Sequence, residues 1–288
     1  MKYNSRFVIV CVIVALAGSW FASMARAAEP ENKPNILLII ADDLNNWIGP
    51  MGGNLQAQTP NLDKLAARGV TFRNAQCPAP LCNPSRAAFM SGLRPSTTGI
   101  YDNQQVWMPH IERGLCINDY VRKFGYTSLG AGKIFHYRNY RPEEWDKVVF
   151  PTDDTLPKHP ATRSPGPHGY RMFVDTEPQQ KFVEKRAESE LVDAQSVSWC
   201  IDRLGEVKPP FFMACGLHRP HTPWDVPKKY FDRIPLDSIQ LPEVLADDLA
   251  DVPPQGKKFA NESGTDEQGV HAKIVKMGLW KDRVRAYL

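Results

Sequence analysis

The sequence contains a cysteine and an arginine four residues apart, in the segment Cys82-Asn83-Pro84-Ser85-Arg86, and together they could form part of a reactive site. Asn83 and Pro84 predict a helix, with Asn83 as N-cap and Pro84 at the first helical position. Cys82 would lie just before the helix start, where unpaired backbone N–H groups favour an anion. Arg86 would lie about one turn further on. The spacing suits a reactive group at 82 facing an anionic substrate beside a guanidinium, but a structural cysteine before a capped helix also fits.

A lysine and a histidine, Lys133 and His136, form a second arrangement at the end of segment 125–136 (GYTSLGAGKIFH). The glycines that flank its turn allow another part of the backbone to approach closely. A lysine supplies positive charge to an oxyanion, and a histidine takes or gives a proton near neutral pH. Considered alone, the pair also fits a surface lysine and a core histidine.

Further candidates follow two apolar runs, residues 35–41 and 210–216, which predict buried parallel strands. Asp42 and Asp43 come directly after the first run, and His218 follows the second. Adjacent carboxylates at a strand end suit a hard cation with oxygen ligands, although a pair of solvated turn acids fits as well. Because sites in parallel α/β sheets gather at the carboxyl ends of the strands, we expect these side chains to share one site.

The remaining sequence predicts an α/β fold, because strands alternate with helices. A helix is expected from Pro60, with Thr59 as its N-cap. Leu62, Leu65 and Ala66 would form its buried stripe. We also expect strands at 70–72 and 126–129, helices at 117–124 and 191–204, and a long irregular excursion at 137–190.

Three of these segments resemble the sulfatase family. The Cys-x-Pro-Ser-Arg segment at Cys82, with its flanks, resembles the first sulfatase signature, in which the cysteine is oxidised to Cα-formylglycine. Residues 125–136 resemble the second signature. Residues 216–223 (GLHRPHTP) are similar to the Gly-x-His-x-Pro-His segment of the iduronate-2-sulfatase-like branch. The resemblance extends over roughly residues 33–230.

The resemblance implies an alkaline-phosphatase-like α/β sandwich with a mostly parallel central sheet, and hydrolysis of a sulfate ester on a sulfated carbohydrate. It implies catalytic roles for Cys82, Arg86, Lys133, His136 and His218, and a weaker role for His221 as a substrate contact. The implied metal ligands are Asp42, Asp43 and the modified Cys82. The implied cofactors are calcium and the Cys82-derived formylglycine, so the formylglycine-generating enzyme is an expected partner.

The first 27 residues predict a secretory signal peptide. Lys2 and Arg6 form a positive start, residues 7–17 are apolar, and Ala25-Arg26-Ala27 resembles a cleavage site. Cleavage removes three positive charges from a net charge of +3, so the mature chain is neutral and gives no reason to expect nucleic-acid binding. We expect an exported protein without a membrane anchor after cleavage, in a periplasmic, extracellular or lysosome-like compartment.

The cysteine content is consistent with the predicted export. Cleavage would remove Cys11 and leave five of the six cysteines. Export permits disulfides, but five is an odd number, so at least one thiol must lie outside internal pairing. The signature resemblance assigns that place to Cys82.

The catalytic region at 28–288 is expected to be incomplete at its C-terminal end. The resemblance places further calcium ligands and a sulfate-binding lysine in a later Ser-Asp-His-Gly segment, and this sequence contains no Ser-Asp-His. We therefore expect little or no sulfatase activity from the chain as it stands. Two alternatives stay open: an inactive fragment, and a phosphoesterase of the same superfamily, which the cysteine at position 82 disfavours.

Overall fold

Four parallel strands form the central sheet of the protein, as seen in a computed structural model. The strands are β1 (Ile36–Asp42), β2 (Thr127–Gly132), β3 (Lys147–Val149) and β6 (Phe211–Pro220), in the spatial order β1–β6–β2–β3. The apolar runs predicted as strands form β1 and β6. The structure describes residues 33–136, 140–150, 162–165, 171–174, 188–222, 224, 226–245, 247–260 and 274–288. The predicted signal peptide lies outside these residues.

Helices connect and cover the strands. The α-helices are α1 (Pro60–Ala66), α2 (Cys82–Ser91), α3 (Pro95–Thr98), α4 (Ile117–Tyr120), α5 (Val192–Leu204), α6 (Lys228–Phe231), α7 (Pro254–Ala260) and α8 (Trp280–Tyr287). A separate antiparallel hairpin consists of β4 (Thr162–Pro165) and β5 (Arg171–Val174). In the described part of the chain, no helix combines the length and apolar character that crossing a bilayer requires.

The two faces of the sheet carry separate cores because side chains alternate along each strand. On one face, Phe212 and Ala214 of β6 pack with Ala87 and Met90 of α2. On the other face, Met213 and Cys215 pack with Cys200 of α5. Helices pack on both faces of the sheet, as in the predicted α/β sandwich, and this prediction is confirmed.

The strand register brings three carboxyl ends to one edge. Gly132 at the end of β2 lies opposite Gly216 of β6, and Asp42 at the end of β1 lies opposite Pro220. The β1–β6 register shifts between Ala41 and Asp42, so the last residue of β1 leaves the regular ladder. The residues that follow β1, β2 and β6 therefore meet at one place.

Several local predictions were wrong. Helix α1 has no buried residue, and Leu62 and Leu65 are exposed, because a helical stripe predicts an apolar face but not what covers it. Residues 70–72 form no strand, and Val70 is 80% exposed. The excursion at 137–190 contains β3 and the β4–β5 hairpin, which are too short to give a clear sequence pattern.

Candidate active site

Asp42, the last residue of β1, is the buried anion at the centre of the site. One carboxylate oxygen accepts a hydrogen bond from the Arg86 guanidinium at 2.6 Å, and the other accepts one from Lys133. Burial by itself raises the pKa of Asp42, but the two cations lower it below the ordinary value. Asp42 is therefore ionised at neutral pH and binds both cations.

Helix α2 carries Cys82 and Arg86 to this carboxylate. The helix begins at Cys82 itself, with Leu81 as N-cap and no side-chain capping bond, so the predicted N-cap role of Asn83 was wrong. The reason is that the Asn83 side chain donates instead to the backbone carbonyls of Asp102 and Gln105, at 2.9 and 2.8 Å. Arg86 lies one turn further along α2, as predicted.

Arg86 also fixes the turn that follows β2. Its guanidinium donates to the backbone carbonyls of Lys133 and Ile134, the latter at 3.1 Å, and its side chain is only 4% exposed. A single side chain therefore holds α2, the end of β1 and the turn after β2 in a fixed relation.

Glycines at 132 and 216 make the close approach of β2 and β6 possible. Gly132 has a φ of 78°, which disfavours other residues, and a Cβ there would collide with the Gly216 carbonyl oxygen. A Cβ on Gly216 would collide in turn with the Lys133 backbone. The predicted close backbone approach is present, and it delivers Lys133 to Asp42.

Cys82 lies beside the same carboxylate, with its Sγ 3.9 Å from an Asp42 oxygen. Burial is the main reason that the pKa of Cys82 is raised, and the nearby carboxylates act in the same direction. Lys133 and Arg86 oppose this shift without reversing it. The unmodified side chain is therefore a thiol at neutral pH, which is a poor nucleophile.

His136 follows β2, His218 lies near the end of β6, and the charge of Lys133 acts on both imidazoles. Burial lowers the pKa of His136 to about 4, with Lys133 and Arg86 acting in the same direction. Burial also lowers the pKa of His218 to about 3, helped by Lys133 and Arg219. Both imidazoles are neutral at pH 7 in the absence of an anionic ligand.

Asp193 is a site residue that sequence reasoning missed. It lies in the first turn of α5, and its carboxylate accepts the backbone N–H groups of His218 at 2.6 Å and Arg219 at 2.9 Å. These bonds fix the backbone that carries His218. An acidic residue near a predicted helix start was the only sequence signal, and such residues are common.

His221 approaches the carboxylates, although it was the weaker candidate. Its backbone N–H donates to the His218 carbonyl at 3.0 Å, and its Nε2 is 3.7 Å from an Asp43 oxygen. Asp43 has a φ of 60°, in the left-handed region, and its side chain is 59% exposed. Asp43 thus turns away from the Asp42 cluster, toward His221 and solvent.

The residues around Asp42 could supply part of the coordination shell of a metal ion. Asp42, Cys82 and His221 each offer a ligand atom, and these atoms lie within 4.8 Å of one another. Each Asp42 oxygen accepts one bond from a cation and keeps a second acceptor position. With Asp43, the two carboxylates supply at most four of the 6–8 oxygens that calcium takes. The carboxylate oxygens suit one side of a calcium shell, whereas the Cys82 thiol and the His221 imidazole are not oxygen ligands of the kind that calcium takes.

Comparison with known proteins identifies the family. The sequence profile of the family described as Sulfatase matches residues 34–244. A protein named sulfatase from Formosa agariphila is 40% identical over an alignment of 284 positions, which covers 89% of this chain and 52% of that protein. This chain belongs to the sulfatase family. Human iduronate 2-sulfatase is also similar, with 34% identity over an alignment of 251 positions that covers 82% of this chain and 44% of that protein.

A solved structure shares the fold of this chain. The structure of the phosphonate monoester hydrolase from Silicibacter pomeroyi aligns with 88% of this sulfatase-family chain and 56% of its own, at a TM-score of 0.60 and 18% identity. That similarity concerns the fold alone. The chain spans about half the length of the curated relatives it matches.

Proposed function

We propose that this chain carries the nucleophile side of a sulfatase active site, which hydrolyses sulfate esters on a sulfated carbohydrate. The observation that carries the proposal is the grouping of Cys82, Arg86 and Lys133 around Asp42. Two cations fixed beside one potential nucleophile suit a substrate that carries a negative charge before the reaction and gains more during it. Family membership supports the same reaction class.

The nucleophile of the proposed reaction is formylglycine made from Cys82. The raised pKa of Cys82 leaves the unmodified side chain a weak nucleophile, so the site gains reactivity through modification. At position 82 the hydrated aldehyde would supply two hydroxyls on one carbon, one suited to act as the nucleophile toward sulfur and one suited to release sulfate after deprotonation. A formylglycine-generating enzyme is therefore a required partner.

Arg86 and Lys133 stabilise the charged sulfate oxygens. Both side chains are almost fully buried, so their charges act in a region of low dielectric where they count more than in water. Arg86 is also held by backbone carbonyls, so its position does not depend on substrate. Such preorganised charge is often the largest single contribution to catalysis.

The two histidines move protons. A neutral His136 suits the base that removes the proton from the second hydroxyl. His218 suits the acid that protonates the leaving sugar alcohol, because a bound sulfate ester adds negative charge nearby and raises the pKa of that imidazole. Asp193 holds the His218 backbone in place for this role.

Calcium is the proposed metal, held by Asp42, Asp43 and the modified residue 82. When bound, it would add positive charge at the sulfate oxygens. Hard carboxylate oxygens favour it over softer metals. The described residues supply only part of its shell, so we expect slow turnover by the 288-residue chain.

A cavity next to the site suits a sulfated sugar. It holds about 300 Å³ and is lined in part by Arg219, Trp224, Arg233 and Tyr287. Tyr287 donates a hydrogen bond to the Asp43 carbonyl oxygen at 3.0 Å, which ties this cavity to the end of β1. Aromatic rings and guanidinium groups suit a ring that carries anionic substituents. The name of the human relative points to the same substrate class, and export, as predicted from residues 1–27, would suit that substrate.

The test is hydrolysis of an aryl sulfate by chain produced with a formylglycine-generating enzyme. We expect slow turnover with calcium that is lost in Cys82→Ala and kept in Cys77→Ala, its matched control on the exposed segment before α2. The modified wild-type chain should hydrolyse an aryl phosphate no faster than the Cys82→Ala variant does. Turnover that survives Cys82→Ala, or a preference for the phosphate ester, would contradict the proposal.

A further inference from the structure

Two cysteines behind the site pack against each other. Cys200 lies on α5 and Cys215 on β6, and both belong to the buried cluster that joins these elements. Each is 5% exposed. The interaction between the two thiols raises the pKa of Cys200 and lowers the pKa of Cys215.

We propose that Cys200 and Cys215 form a disulfide when the protein meets an oxidising compartment. In the reaction, the two thiols give up two protons and two electrons to an external low-molecular-weight or protein disulfide, which is reduced to two thiols while one S–S bond forms. The other described cysteines have different surroundings. Cys77 is exposed, Cys82 belongs to the active site and Cys116 is buried in the core on the opposite face.

The position of this bond gives it a structural purpose. Cys215 lies three residues before His218 on β6, and Cys200 lies two turns after Asp193 on α5. Asp193 already joins the same two elements through the backbone N–H groups of His218 and Arg219. A disulfide would join them covalently at a second point and fix the strand that carries His218. The inference does not depend on the proposed reaction.

Peptide mapping tests the inference directly. The full chain is incubated with oxidised glutathione, unfolded in denaturant with N-ethylmaleimide, and digested with trypsin. Cys200 then lies in peptide 187–203 and Cys215 in peptide 204–228, because Lys208 and Arg219 precede prolines and resist cleavage. We expect the two peptides as one species, at their summed mass less two hydrogens. Maleimide on both cysteines, or Cys215 linked to another cysteine, would overturn the inference.

Variants and melting give the second measurement. The linked species should disappear in Cys200→Ala and persist in Cys116→Ala, a buried cysteine in the other core. The bond would close a loop of about 15 residues, so we expect oxidation to raise the melting temperature by about 6–12 °C. This rise should vanish in the double variant Cys200→Ala/Cys215→Ala. A linked wild-type protein that melts no higher than the reduced form would refute the stabilising role.

Discussion

Replacement of Asp193 tests how the end of β6 is held. Its carboxylate accepts two backbone N–H groups, those of His218 and Arg219. A hydrogen bond to a charged group contributes about 1.5–3 kcal/mol, so Asp193→Ala should cost about 3–6 kcal/mol. Asp193→Asn keeps one acceptor oxygen and should cost about half of that. For Asp193→Asn, this loss of stability corresponds to a fall in melting temperature of about 3–12 °C.

The assay is thermal and denaturant unfolding of wild type and variants. Stability should fall without a change in the denaturant m-value, because the replacement alters contacts and not the surface exposed on unfolding. Asp202→Asn is the matched control, since Asp202 is exposed near the C-terminal end of the same helix, where loss of a negative charge is neutral or slightly favourable. If Asp193→Asn and Asp202→Asn have the same melting temperature, the two hydrogen bonds from Asp193 do not hold the end of β6.

Two further predictions concern the acidic pair at the end of β1. Without calcium, Asp42→Asn removes the buried carboxylate charge that faces Arg86 and Lys133 and should destabilise the protein by about 3–5 kcal/mol at pH 7. Folding lowers the pKa of Asp42, so the stability difference between wild type and Asp42→Asn should be full above the ordinary pKa of 3.8 and should shrink as the pH falls below it. The measurement is thermal unfolding of both proteins in chelator from pH 7 to 3. A stability difference that stays constant over this range would contradict the prediction. Calcium should raise the melting temperature of wild type, and of the exposed control Asp237→Ala, more than that of Asp43→Ala. Equal shifts in all three proteins would show that the cation binds elsewhere.

Strands β1 and β6, and the meeting of the carboxyl ends of the central strands, were predictable from the sequence pattern. Continuous apolar runs form β1 and β6, and side chains that follow parallel strands must meet at one edge. The position of Arg86 followed from helical spacing alone. Asp42 and Lys133 were both predicted for the site, but their direct ion pair depends on the strand register.

What could not be predicted depends on contacts between distant segments. Asn83 was predicted as an N-cap, but its side chain instead donates hydrogen bonds to backbone carbonyls in the loop at 102–105. Asp193 became a site residue only because α5 begins beside the end of β6, 25 residues further along the chain. The Cys200–Cys215 pair depends in the same way on how one helix crosses one strand. Short-range patterns carry no information about such partners.

Modification of Cys82 tests the central claim most directly. Tryptic peptide 74–86 contains both Cys77 and Cys82, so one peptide holds the test residue and its control. After expression with a formylglycine-generating enzyme, the sample is treated with an alkylating reagent and then with a hydrazide, which captures aldehydes. We predict an alkylated Cys77 and a hydrazone at position 82 in the same peptide. Alkylation of both cysteines throughout the sample would contradict the account of this site as a sulfatase nucleophile.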